Sequence, residues 1–139
     1  MVKTLETFFV FKVSYCTFAH IIKEKILSNA ADFFLNYGFK SVTMDDVSRH
    51  LGISKKTLYE FFTDKEDLVK QVLTWDYDRK LAFFLEIEQK KLNAVEELFE
   101  VYKMIKKMFK DFNPSVEYDI RKYYPTLFTQ LREIKRKRM

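Results

Sequence analysis

Thr43-Met44-Asp45-Asp46-Val47-Ser48-Arg49-His50-Leu51-Gly52-Ile53-Ser54-Lys55-Lys56-Thr57-Leu58-Tyr59-Glu60-Phe61-Phe62 is the stretch whose reading decides the fold. Thr43 is a good helix N-cap, and Asp45 and Asp46 suit the positive end of a helix dipole. The spacing predicts a helix from Met44 to about Leu51, with Val47 and Leu51 inward. Gly52-Ile53-Ser54 then supplies a glycine able to adopt positive φ, an apolar anchor and a second N-cap. A short helix follows from Lys55 to about Phe62, placing Leu58, Phe61 and Phe62 near one side. The stretch is therefore helix, glycine turn, helix.

Working outward, Ile22, Ile26, Leu27, Ala30, Phe33, Phe34 and Tyr37 keep helical spacing, and Gly38 stops that helix. On the other side Thr63-Asp64 breaks and caps a long helix whose expected buried face is Leu68, Val69, Val72, Leu73, Leu81, Phe84 and Leu85. Asn93 caps another, with the amphipathic pattern Val95, Leu98, Phe99, Tyr102, Ile105, Phe109. Asp111 to Ser115 ends it, Val116 to Tyr124 reads as a short helix, and Pro125 opens or kinks the last. There Leu127, Phe128, Leu131 and Ile134 point inward, and no C-cap closes the pattern. Residues 1–20 stand apart as an atypical N-terminal extension. Their run of Phe, Val and Tyr leans toward strand by local propensity. Lys12 splits the run, and it is too short to span a membrane.

Composition agrees with an all-α chain. Of 139 residues, two are Gly and two Pro, too few for the turns of sandwiches, barrels or doubly wound sheets. Neither GxGxxG nor GxxxxGK[ST] can be written with Gly38 and Gly52, so the usual phosphate-cradling loops are absent. The single Cys16 excludes an intrachain disulfide and a Cys-rich zinc site. No paired carboxylates, nucleophile triad or metal-ligand spacing can be assembled, so no enzyme, cofactor or metal is expected. Of the net charge of +5, residues 1–20 carry +1, residues 21–75 none and residues 76–139 the remaining +4. The total therefore announces nothing about nucleic acid; the placement of single cations does. Lys135-Arg136-Lys137-Arg138 reads as a solvated face and His50 as a packing or solvent-facing residue.

Lys55, Lys56, Thr57 and Tyr59 cluster at the N-terminal half of the short helix. Lys donates to guanine O6 and N7, a Thr methyl touches thymine, and a helix N-terminus favours phosphate. This is the layout of a helix-turn-helix whose second helix enters the major groove of duplex DNA. On spacing alone, an ordinary three-helix core is the better fit.

The collinear run Phe33-Phe34, Tyr37 to Val47 and Leu51 to Leu68 resembles the N-terminal domain of the tetracycline-repressor (TetR-like) family of bacterial regulators. The resemblance covers about residues 22–70, and Trp75 to Met139 resembles only the beginning of that family's ligand-binding domain. It implies a tri-helical DNA-binding domain over 21–70 and a partial helical regulatory and dimerisation domain over 71–139. It further implies phosphate contacts from Thr43, Tyr59 and Lys65, and base-reading positions at Lys55, Lys56, Thr57, Glu60 and Phe61. Lys56 stands where a small residue is common, and Phe61 where histidine or tyrosine is usual. The implied partners are a palindromic duplex operator, a small-molecule effector and a second subunit in the complete protein, with a cytoplasmic location and no membrane. Family members continue for several helices that build a four-helix dimer interface, and this chain is expected to stop short of them. Trp75, Phe84, Tyr102 and Tyr123 are candidate effector-pocket residues, beside the alternative that such aromatics are core. The rival functional class is a helical protein-interaction module that shares the shape but not the activity.

Overall fold

A computed structural model describes the backbone of residues 2–110 and 113–138 and the side chains of residues 17–107 and 113–137. The described residues form α1 (Val2–Tyr37), α2 (Met44–Leu51), α3 (Lys55–Phe61), α4 (Lys65–Gln89), α5 (Ala94–Lys110), α6 (Pro114–Tyr123) and α7 (Pro125–Arg138), with no strand among them. α1 packs on α2 and α4, α2 on α3, α4 on α5 and α7, and α6 on α7.

The helix ends follow from local chemistry. Gly38, at φ 86°, closes α1 by donating its N–H to the Phe34 carbonyl at 2.8 Å. Gly52 sits at φ 65°, ψ 28°; its N–H reaches the Arg49 carbonyl at 3.2 Å and the Ile53 N–H reaches the Ser48 carbonyl at 3.0 Å. This pair of bonds is a Schellman closure, which requires a left-handed residue at that position. Asp64 caps α4, accepting the Asp67 N–H at 2.8 Å, while Asp67 accepts the Thr63 N–H at 3.0 Å. Asn113 caps α6 with Pro114 in its first turn, so α6 begins two residues before the expected Val116. Asp111 and Phe112, expected to help end α5, lie outside the described residues.

One core joins every element but α5. Phe34, Phe39, Val47, Leu58, Phe62, Leu68, Val69 and Val72 are fully buried within it, and Ile120, Leu127 and Leu131 carry it into α6 and α7. The Phe34 and Phe39 rings stack with centroids 4.9 Å apart, plugging the junction after α1.

Two expectations need correction. The extension over residues 2–20 is helical, the first half of α1, and not strand-like. Aromatic and β-branched residues disfavour helix by only tenths of a kcal/mol each (about 0.7 at most), and lengthening an existing helix needs no new nucleus. On α4, Phe84 and Leu85 are exposed and Ile87 is buried instead. The reason is α5, which folds back on α4 and selects the face it covers. On α5 itself, Val95, Leu98, Phe99, Tyr102 and Ile105 are 42–75% exposed, while Met104, on the opposite face, is buried. The most regular apolar stripe in the chain thus faces outward, as expected of helices that leave part of their apolar surface uncovered.

Candidate nucleic-acid interface

The site grows from two caps and one buried anchor. At the start of α2 the Thr43 Oγ1 accepts the Asp46 N–H at 3.2 Å, and Asp46 Oδ2 accepts the Thr43 hydroxyl at 2.6 Å and the Thr43 N–H at 2.9 Å. These bonds from Thr43, side chain first and then backbone, hold the Asp46 carboxyl below its ordinary pKa, with lesser help from the Arg49 and Lys65 charges. At the start of α3 the Ser54 Oγ accepts the Thr57 N–H at 3.0 Å and lies 2.8 Å from the Thr57 hydroxyl. Leu58 then sinks completely into the core, with Phe62 buried just past the helix end. That anchor fixes which face of α3 remains outside.

What remains outside is largely the set expected to read bases. Lys55, Lys56 and Glu60 are exposed, and Thr57 is half-buried with its hydroxyl engaged by Ser54. Phe61 turns partly inward against the core and is the least presented of the five. Of the phosphate candidates, Thr43 is exposed on α2 and Tyr59 stands 48% exposed on α3. Lys65, at the start of α4, is half-buried, and its ammonium donates to the Lys40 carbonyl at 3.1 Å. Burial lowers the Lys65 pKa, opposed by the charges of Asp119 and Asp46. The turn after α1 and the start of α4 are thereby tied together at the end of the tri-helical unit.

Two pairings were not legible in the sequence. Asp45 on α2 forms an ion pair with Lys55 on α3, and Lys40 lends its carbonyl to Lys65. Each joins segments ten or more residues apart, so only the crossing of the helices reveals it. His50 stacks on Phe33, with centroids 4.1 Å apart and planes 13° apart, and is otherwise exposed, within the packing or solvent-facing role expected of it.

The candidate effector residues are spread over α4, α5 and α6. Trp75 lies under the Arg79 guanidinium, Phe84 and Tyr102 are exposed on α4 and α5, and the Tyr123 ring on α6 carries the Lys40 ammonium at 4.9 Å. Two open surface clefts, one between Phe33 and Arg49 and one between Lys90 and Lys103, are lined by none of the four. Helical spacing placed these aromatics on helices without fixing which helices meet. No cluster of metal-ligating side chains and no helix long and apolar enough to cross a membrane occurs among the described residues.

Capped α2, a left-handed glycine turn and a short α3 docked by Leu58 define a helix-turn-helix unit. Residues 26–72 match the family described as bacterial regulatory proteins, tetR family. It is 34% identical over 74 residues to the uncharacterized HTH-type transcriptional regulator YhgD of Bacillus subtilis, covering 53% of this chain and 35% of that protein. It is 36% identical over 70 residues to the HTH-type transcriptional regulator UidR of Escherichia coli, covering 50% and 36%. Over 64 residues it is 30% identical to the biofilm operon icaADBC negative transcriptional regulator IcaR of Staphylococcus epidermidis, covering 46% and 35%. These matches span about a third of the length of each relative. The fold is similar to that of the ketosteroid transcriptional regulator KstR2 of Mycobacterium tuberculosis, with a TM-score of 0.60 at 19% identity, over 82% of this chain and 60% of that one.

Proposed function

We propose that the chain is a sequence-specific duplex-DNA-binding regulator of transcription, acting as a cytoplasmic repressor, with α3 as its recognition helix. The observation that carries this reading is the docking of α3. Leu58 is fully buried, so Lys55, Lys56, Tyr59 and Glu60 are left together on the outer face of a short, capped helix. Lys55, Lys56, Thr57, Glu60 and Phe61 are the base-reading positions in this proposal, and Thr43, Tyr59 and Lys65 hold phosphates. Residues 21–70 form the DNA-binding unit and 71–139 belong to a regulatory unit that responds to a small ligand. The operator is palindromic and is bound by two copies, because one helix-turn-helix reaches one major groove. That IcaR is a negative regulator supports repression.

The test is duplex binding as a function of salt. A regulator of this kind shows a linear fall of log K with log salt and selects a sequence from a random duplex pool. Binding without a salt slope, or none at all, would leave the interaction-module reading, for which the exposed apolar face of α5 is the supporting observation.

A further inference from the structure

Asp45 and Lys55 join α2 to α3 on the outer side of the helix-turn-helix, their side chains 49% and 56% exposed. We propose that Asp45 is a specificity-determining residue of the DNA-reading surface, a role that rests on the DNA-binding reading above. In the free protein its carboxylate holds the Lys55 ammonium. On the operator it accepts a hydrogen bond from a cytosine N4 amine while Lys55 moves to a neighbouring guanine.

Three observations lead here. First, the hydrogen bonds that cap α2 do not use the Asp45 carboxylate. The cap of α2 is already complete in Thr43 and Asp46, and Ser48 uses only the Asp45 backbone carbonyl, at 3.0 Å. Second, an exposed ion pair contributes little to stability, so this pair has small structural value where it stands. Third, it sits at the first residue of α3, where side chains approach base edges.

The chemistry of a carboxylate at that place is exclusion. It is acceptor-only, so it is repelled by phosphate and by the guanine and thymine groups that are also acceptors. Among major-groove partners it favours an exocyclic amine, and Asp pairs with the N4 of cytosine. An unpaired Lys55 would bind any phosphate; held by Asp45, its charge is released only where both groups find partners. Discrimination then comes from a repulsive element as much as from an attractive one.

The experiment uses the full chain, the duplex it selects from a random-sequence pool, and a scrambled duplex of equal length. Asp45→Asn preserves shape, removes the charge and adds an amide donor. The expected result has three parts. Scrambled-duplex affinity rises and the salt slope steepens by about 0.9 per half-site, as Lys55 is freed to neutralise a phosphate. Preference for cytosine at one operator position drops roughly fivefold to a hundredfold and shifts toward adenine, the base asparagine reads. In a Lys55→Met background, Asp45→Asn no longer steepens the slope. Unchanged base preference in Asp45→Asn would overturn the proposal, as would one common factor across all duplexes. If the unsubstituted chain shows no salt-dependent duplex binding, the DNA-binding reading itself falls, and the proposal with it; that arm alone reveals which of the two has failed.

Discussion

Gly52 isolates a backbone effect from a packing effect. Its φ of 65° and ψ of 28° are left-handed, and a Cβ added there meets no atom within 4 Å. A substitution therefore brings no clash, and its cost is that of the dihedral angles. Left-handed geometry costs an ordinary L-residue about 1–2 kcal/mol. Replacing glycine also restricts the unfolded chain, which returns about 0.4–1 kcal/mol. Gly52→Ala should thus destabilise by roughly 0–1.6 kcal/mol. Gly52→Asn should be close to neutral, because asparagine tolerates this region. Gly52→Val should be the worst, at about 2 kcal/mol or more, since a β-branched side chain is least at ease there. Urea unfolding followed by far-UV circular dichroism measures all three on one scale. DNA affinity should follow the same order, because the turn sets the angle at which α3 leaves α2. The reasoning is refuted if Asn and Val cost the same, since then neither φ nor the closure it permits is what glycine provides.

The remaining predictions concern single side chains. Asp46 has a folded pKa below its ordinary 3.8, so it contributes stability that is present above the unfolded value and lost as pH falls through the folded one. Acid unfolding below about pH 4 should therefore be less steep in Asp46→Asn, and an unchanged acid limb would assign the acid sensitivity to other carboxylates. Lys65→Ala should weaken binding to all duplexes similarly and make the salt slope shallower by about one unit per half-site; an unaltered slope would remove Lys65 from the phosphate set. Lys56→Ala should relax preference at one operator position by about 1–3 kcal/mol, whereas a uniform loss would place it on phosphate. Phe99→Glu, in the outward stripe of α5, should reduce concentration-dependent association in sedimentation equilibrium without lowering thermal stability, and equal association in both proteins would move the contact elsewhere.

The elements of the helix-turn-helix were legible because their signals are local. Thr43, Gly52, Ser54 and Asp64 act on backbone groups at most a few residues away, so their caps and turns can be read from neighbours alone. Leu58 at the centre of α3 likewise announces its own burial by helical spacing, and from it follows which of Lys55, Lys56, Tyr59 and Glu60 share the outer face. What the local pattern could not supply is the partner of each face. Periodicity shows that α5 has an apolar side but is silent on whether anything covers it, and the packed helix α4 meets Met104 from the other side. The same holds for the strand-like composition of residues 2–20, overridden by continuation of α1, and for the four aromatics scattered over α4, α5 and α6. It holds most sharply for Asp45 and Lys55. Their identities mark one as a helix-start acid and the other as a free cation, and only the crossing of α2 and α3 brings them together. Short-range hydrogen bonds and dihedral preferences are written residue by residue, whereas side-chain pairing between helices depends on crossing angles set by the whole core.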